Sequence, residues 1–307
     1  MVKRVNQLIH NAIAPSTRSN YNRAWDLFQI CMSNLNVPFC QIQSLPVSTE
    51  HLLLFIGYLH IEGYAPSTML TYMSAISYVH KLKGLQDNTT EFVIQKALCG
   101  AMKLKPTSDP RLPITRCILQ KMNLAFEQTV DNPYLRTMFK AMSVVSFFAL
   151  MRVGEVTTDT NGEVSINLNQ IQLYPEHVVI TINKFKHNLT RKPFELVMVK
   201  QDIRDICPVH CLLEYLKLRG NAPGPLFCMP DMKPITRDIF IKNLKIALSF
   251  CGLDPTLYKS HSYRIGGASY YAEIGLSDEQ IRLIGRWKTN AFRKYIRSQR
   301  ILLALKN

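Results

Sequence analysis

Between Lys103 and Pro113 the chain reads KLKPTSDPRLP. Pro106, Pro110 and Pro113 each lack an amide hydrogen and fix their own φ, so no helix runs through this window. The small polar residues between the first two prolines argue the same way. The window divides the 307 residues into two parts of ordinary domain size. Residues 1–105 make a first domain, 106–113 a short and partly stiff linker, and 114–307 a second domain. A hydrophobic content of 47% supports a real core. No stretch approaches the roughly 20 consecutive apolar residues of a membrane span, so no membrane partner is expected. The first residues, MVKRVNQLIHNAIAPST, hold no long apolar run and no cleavage signature, which argues against secretion.

The formal net charge is +15. A surface this basic points to a polyanionic partner, most often nucleic acid. The eight cysteines are scattered, and their one cluster is Cys207-Pro-Val-His210-Cys211. With no matching second half, it reads as thiols buried on a helix rather than a zinc site. The composition fits a reducing, intracellular setting.

The first domain reads as helices. A-P-S-T-x-x-x-Y occurs at Ala14–Tyr21 and again at Ala65–Tyr72. In each copy the proline sits where a first helical turn tolerates it. After the first, Tyr21, Trp25 and Phe28 share a helical face; after the second, Tyr72, Ile76 and Val79 do. Ser48-Thr49-Glu50 opens a third helix through Leu52, Phe55, Ile56 and Leu59, and a fourth covers Glu91 to Lys103. On periodicity alone this is a structural bundle, since aromatic stripes are usually core.

In the second domain a helical region runs from Ile114-Thr115 to about Leu150, and its last ten residues, AMSVVSFFAL, are nearly all apolar. It ends in Met151-Arg152-Val153-Gly154-Glu155. An arginine there is either paired to Glu155 for structure or presented into a pocket. Val178, Ile180 and Ile182 alternate along one strand, and Phe194, Leu196 and Met198 along the next, which makes a β-hairpin. Its tip, from Lys184 to Lys192, is strongly basic. Cys207 to Leu218 is a helix with Cys211, Leu212, Tyr215 and Leu218 on one side. Leu226-Phe227 is a candidate short strand, and Thr236 to Cys251 is helical.

The stretch HSYRIGGASYYAEIGLSDEQIRLIGRWKTNAFRKY, from His261 to Tyr295, carries the chemistry. His261 and Arg264 are three residues apart and share a helix face. Gly266 and Gly267 remove side chains where that helix can press close against a neighbour. A Gly285-Arg286-Trp287 turn and a basic helix start lead to Tyr295. The set reads as a cationic pocket with one hydroxyl nucleophile, suited to attack on a phosphodiester.

H-x-x-R, then G-R-W, then a tyrosine resembles the active-site half of tyrosine recombinases, the phage-integrase family. R-I-G-G-A-S and G-R-W look closest to the variants of Crypton and DIRS-type eukaryotic mobile elements. The resemblance covers nearly the whole chain. It implies a mainly α fold with a small antiparallel β-sheet (α+β), in which a helical core-binding domain precedes the catalytic domain. The two lobes would close around duplex DNA. Arg18, Arg23, Lys81, Lys83, Lys96 and Lys103 then become candidates for phosphate contact in the first domain, and Arg191 and Lys192 in the second.

Residue by residue, Arg152 matches the first catalytic arginine of the family pattern A-L-x-R-x-x-E, and Glu155 its supporting acid. Lys186 fits the hairpin lysine, with Lys184 as the alternative. Arg264 matches the second arginine and His261 the acid-base group. Counting back from Tyr295 puts Arg286 at the position after the glycine of the turn; counting forward from Arg264 favours Trp287. With Trp287 there, its indole N–H would donate to a phosphate and its body would pack on the tyrosine helix, while Arg286 would make an ordinary backbone contact.

Tyr295 is the expected nucleophile. A free tyrosine has a pKa of about 10, so the two arginines must lower the cost of its attack and hold the transition-state charge. Lys186 would protonate the leaving 5′ oxygen. The 3′-phosphotyrosine conserves the bond energy, so no cofactor and no metal is expected. The expected activity is site-specific recombination or integration by a homo-oligomer, a tetramer on DNA, acting in the nucleus if the source is eukaryotic and in the cytoplasm otherwise. A domesticated DNA-binding protein and a type IB topoisomerase are the alternatives. The apolar tail, Ile301, Leu302, Leu303 and Leu305, would dock on a neighbouring subunit or pack in cis.

Overall fold

A computed structural model gives the structure of the chain and describes residues 1–105, 110–158, 162–164, 166–183, 185 and 192–296. The chain forms two compact units, Met1–Asp109 and Pro110–Asn307.

The first unit is helical: α1 (Val2–Asn11), α2 (Pro15–Asn34), α3 (Phe39–Ile42), α4 (Thr49–Ile61), α5 (Pro66–Leu82) and α6 (Phe92–Leu104). Both A-P-S-T repeats open helices, with Pro15 and Pro66 in the first turn, where an amide hydrogen has no helical partner to lose. Ser48 caps α4 by accepting from the His51 amide at 3.2 Å. The core is aromatic and aliphatic. Phe28 meets Phe55 edge-on at 5.4 Å, and Tyr72, Ile76, Leu52 and Leu59 are buried with them. Tyr21, Trp25 and Val79 lie half-buried at its border. Two elements escape the sequence reading: α1, and the single turn of α3.

The second unit follows as α7 (Arg116–Thr129), α8 (Pro133–Phe148), α9 (Val153–Val156), β1 (Ile171–Leu173), β2 (His177–Ile182), β3 (Phe194–Val199), α10 (Pro208–Arg219), α11 (Arg237–Phe250), α12 (His261–Glu273) and α13 (Asp278–Ile284), with a final 3₁₀ segment at Asn290–Tyr295. The expected helical region from Ile114 to Leu150 is two helices. Asn132 breaks it by accepting from the amides of Tyr134 and Leu135, with Pro133 starting α8. Every residue from Ala141 to Leu150 is buried, and α8 lies against α7, α10 and α12.

The sheet is antiparallel in the order β1-β2-β3. Val178 pairs with Met198, Ile180 with Leu196 and Ile182 with Phe194, so the two expected apolar rows share one face. The hairpin is therefore as expected, while β1, three residues long, has too little alternation to be read. Leu226-Phe227 is not a strand. It lies between two isolated bridges, Asn167 with Pro225 and Cys228 with Pro234, and its Leu226 carbonyl accepts from the Tyr215 hydroxyl at 3.0 Å and from Arg219 Nε at 3.2 Å instead of from a strand. On α10 Leu218 is 51% exposed, and Arg219 takes the buried place instead, donating to the carbonyls of Gly220, Ala222, Pro225 and Leu226. Cys207 and Cys211 are buried free thiols, and burial pushes Cys211 up to about 12.

The second unit begins inside the proline-rich window. The Leu112 amide donates to the Leu257 carbonyl at 2.9 Å and the Ile114 amide to the Ser262 carbonyl at 3.0 Å. A side chain on Gly266 would put its Cβ 1.7 Å from the Ile114 carbonyl oxygen, and one on Gly267 would sit 2.3 Å from that of Phe147. The two glycines let α12 press against the domain entrance and the end of α8 at once, which seats its first residues over the site.

Candidate active site

Four separate segments meet at the end of α8. The first is the turn after the helix. Leu150 is fully buried with φ +46, a conformation that costs a non-glycine residue on the order of 1–3 kcal/mol. That turn aims the Leu150 carbonyl inward, where it accepts from Arg264 Nη1 and, at 3.4 Å, from Arg286 Nη2. Next comes Arg152, just before α9. Glu155, one turn on, reaches back with Oε2 to the Arg152 amide at 2.8 Å and with Oε1 to Arg152 Nη1 at 2.9 Å.

The second segment is the start of α12. His261 is half-buried and Arg264, one turn later, is 1% exposed. Besides Leu150, the Arg264 guanidinium donates from Nη2 to the Gly285 carbonyl at 2.8 Å.

The third segment is the G-R-W turn, and each of its residues has a separate task. Any Cβ on Gly285 would fall 1.6 Å from the Trp287 ring, so only glycine admits that ring. Trp287 then lies with its face 4.3 Å from the Arg264 guanidinium carbon. Arg286 adopts φ +54 and turns inward. Its Nη2 meets Glu155 Oε2 at 2.7 Å, and its Nη1 donates to the Ala149 and Ile284 carbonyls. The expectation of an ordinary backbone contact for Arg286 is therefore corrected: the residue is 6% exposed, and its charge is used inside the protein.

The fourth segment carries Tyr295. It ends a 3₁₀ turn, not the expected α-helix, and its own carbonyl accepts from Ser269 Oγ at 3.2 Å. The Tyr295 ring is 6.3 Å from that of His261, nearly parallel, and 5.5 Å from that of Trp287. It is the Trp287 ring that packs against Tyr295.

Electrostatically this is a cationic cluster with one acid. Burial pushes the Glu155 carboxyl up, but the Arg286 and Arg152 charges outweigh it and hold it below the ordinary carboxylate range. Burial lowers Arg264 to about 9, and the Arg152 charge adds to that. His261 is pushed down to about 4, first by burial and then by the positive charges of Arg111, Arg264, Arg152 and Arg237. Its imidazole is thus neutral at pH 7, able to accept a proton at one ring nitrogen.

Arg152, Glu155, His261, Arg264, Arg286, Trp287 and Tyr295 are brought together. Lys186, its alternative Lys184, Arg191 and the apolar tail lie outside the described residues. Lys192 is exposed on the approach to β3. In the first unit Arg23, Lys83 and Lys103 are exposed. Three other candidates there have partners: Arg18 donates to the His10 carbonyl, Lys81 pairs with Asp87 at 3.2 Å, and Lys96 lies 4.9 Å over the Phe92 ring. Sequence reasoning missed Arg111 and Arg237, whose charges bear on His261, and Phe185, whose ring lies 5.9 Å from the Arg286 guanidinium. No motif marks any of the three. Among the described residues no group of three or more His, Cys, Asp or Glu side chains could hold a metal ion, and no helix is long and apolar enough to cross a membrane.

No protein-family profile and no curated protein matches the chain. Solved structures do. A lambda integrase dimer bound to a COC' core site superposes with a TM-score of 0.63 at 16% identity, over 96% of this chain and 93% of that one. The Tn1549 transposon integrase in complex with transposon right end DNA gives 0.65 at 12% identity, over 98% and 95%. XerH site-specific recombinase bound to palindromic difH substrate gives 0.58 at 16%, over 92% and 83%.

Proposed function

We infer that the chain, which has the fold of the tyrosine recombinases and integrases, acts on DNA. We propose that it breaks and rejoins duplex DNA through a covalent 3′-phosphotyrosine at Tyr295, in the service of site-specific recombination or integration. The observation that carries this reading is the convergence of Arg152, His261, Arg264 and Tyr295 from three segments on one spot, within a fold that has solved examples bound to DNA.

The chemistry follows from what each group offers. The Tyr295 oxygen attacks the scissile phosphorus, forming a P–O bond to tyrosine as the P–O5′ bond breaks. The phenolic proton passes to the neutral His261 imidazole. Lys186, or Lys184 in its place, protonates the departing 5′ oxygen. Arg152 and Arg264 hold the charge that builds on the phosphoryl oxygens, and both remain cationic throughout. Arg264 receives the phosphate once the Trp287 ring has shifted from its guanidinium. Rejoining is the reverse, with a 5′ hydroxyl attacking the phosphotyrosine, so the bond energy is conserved and no cofactor is consumed. The partner is duplex DNA, the working form is a homo-oligomer on it, a tetramer, and the site of action is inside the cell. The Crypton and DIRS-like motifs make a eukaryotic mobile element the proposed source, hence the nucleus. A lambda integrase tetramer has been seen on a Holliday junction, which is the model for that assembly.

The test uses nicked duplexes with a randomised central block, so that no target sequence need be known. Cleavage next to the nick releases a short strand and traps the protein on DNA. Wild-type protein is expected to form adducts that survive denaturant with EDTA present, and mass spectrometry should find the phosphodiester on Tyr295. Tyr295→Phe, which removes one hydroxyl, should form none. Absence of adduct from the wild type, or equal yield from Tyr295→Phe, overturns the reading.

A further inference from the structure

Arg286 is an unexpected residue to find deep in a cationic cluster. It is 6% exposed, lies within the range of the Arg152 and Arg264 charges, and holds a left-handed backbone to get there. Burying a cation among cations is costly unless it is matched, and its match is Glu155. Glu155 in turn serves two arginines. Its Oε1 accepts from Arg152 Nη1 at 2.9 Å; its Oε2 accepts from Arg286 Nη2 at 2.7 Å and from the Arg152 amide at 2.8 Å. The side-chain pair between Arg152 and Glu155 is therefore one-pronged. A carboxylate and a guanidinium left to themselves favour the two-pronged fork.

We propose that Arg286 is a positioning residue for Arg152: by occupying Glu155 Oε2 it prevents the fork, and so keeps the outer N–H groups of Arg152 free for the phosphate. The Phe185 ring, 5.9 Å from the Arg286 guanidinium and itself packed edge-on against Phe194 at 6.0 Å, holds Arg286 from the hairpin side. The Ala149 and Ile284 carbonyls hold it from the other. Arg286, buried against the Glu155 carboxylate, acts through it. The Arg152 side chain, 22% exposed, is the one that reaches solvent.

This rests on the reading of Tyr295 as the nucleophile, and the test separates the two. DNA captured from the randomised nicked pool by wild-type protein is used at saturating concentration to measure single-turnover adduct formation. Arg286→Met keeps the length and loses the charge. It leaves Oε2 with the Arg152 amide alone and able to take a second Arg152 N–H, and adduct formation should slow on the order of 10²-fold, as for one lost electrostatic donor, while DNA affinity stays within a few-fold. Adding Glu155→Gln to Arg286→Met removes the carboxylate that would form the fork and leaves no unmatched buried acid. The double variant should react about tenfold faster than Arg286→Met alone, a rescue that loss of a merely structural contact does not give. Melting curves verify that each variant is folded, and Arg286→Lys, which keeps a charge on Oε2, provides a second variant expected to retain most activity. If Arg286→Met and wild type react alike, or the double variant is slower than both singles, the positioning role is wrong and the Tyr295 reading stands. If wild type captures no DNA, both fall together.

Discussion

The Arg264 guanidinium lies 4.3 Å from the centre of the Trp287 ring, with its Nη2 on the carbonyl of Gly285, two residues before that ring. One turn thus grips the arginine by a carbonyl and by an aromatic face. A desolvated cation–π contact contributes about 2 kcal/mol, and the Trp287 ring also packs on Phe292. Trp287→Ala should lower unfolding stability by roughly 3 kcal/mol, whereas Trp287→Phe, which retains an aromatic face, should lose about 1 kcal/mol or less. Urea midpoints at unchanged slope check this; equal losses in the two variants would argue against the aromatic face.

Two glycines give opposite outcomes for the same substitution. At Gly266 a Cβ would meet the Ile114 carbonyl oxygen at 1.7 Å, whereas at Gly57, inside α4, nothing lies within 4 Å. Gly266→Ala must push α12 off the domain entrance and should cost on the order of 3 kcal/mol. Gly57→Ala relieves only backbone entropy and should stabilise by about 0.5–1 kcal/mol. Thermal melting of both proteins is the measurement, and a neutral Gly266→Ala would contradict the close approach.

What the sequence disclosed, and what it hid, follows from how each residue acts. The hairpin was readable because Val178, Ile180 and Ile182 alternate with the period of a strand that buries one face. His261 and Arg264 were readable because three residues is a helical spacing, and Arg152 because a charge follows a long, nearly all apolar run from Ala141 to Met151. Arg286 was misread because a sequence gives no backbone torsion: its inward direction depends on φ +54 and on a carboxylate 131 residues away. Arg111 and Arg237 escaped for a related reason. Their effect on His261 is long-range charge, which leaves no local pattern.

His261 predicts a pH dependence of stability. Its folded value, about 4, lies below the ordinary histidine value of 6.5. Between those values the unfolded chain binds a proton and the folded one does not, so this group's contribution falls as pH drops from 6.5 towards 4 and is constant above 6.5. His261→Asn should flatten the stability profile in that window and leave it unaltered above pH 7. The His261 ring resonances should titrate near 4 in the free protein. A midpoint at 6.5 would show that the neighbouring cations and burial do not act on it as described.

The surface lysines and arginines predict a salt effect. Each phosphate neutralised on duplex DNA contributes a slope of about −0.9 in log affinity against log salt. Lys83 and Lys103, both exposed, should each reduce the slope by about 1 when changed to alanine, with melting unchanged. Lys81 is already paired to Asp87, so Lys81→Ala should change it less. Filter binding between low and physiological salt reads the slopes, and a flat response in the wild type would count against DNA as the partner.

The two arginines should tolerate lysine unequally. Arg264 is 1% exposed and spans the Leu150 and Gly285 carbonyls with two different nitrogens. An ammonium has no fork with which to span them, and it packs less well on the Trp287 face. Arg264→Lys therefore leaves one buried carbonyl without its donor and the phosphate site without a fixed charge. Adduct formation should fall on the order of 10²–10³-fold, and the melting temperature should drop with it. Arg152 is 22% exposed in its side chain and meets Glu155 through one nitrogen, a contact an ammonium can reproduce. Arg152→Lys should keep the wild-type melting temperature but lose on the order of 10²-fold in rate, since a point charge remains near the phosphate while the outer guanidinium N–H groups are gone. Single-turnover trapping and melting on the same preparations distinguish the cases. If Arg264→Lys melts and reacts like wild type, the two-carbonyl grip is not what holds the site together; if Arg152→Lys is the more damaged of the two in melting, the order of burial has been read the wrong way round.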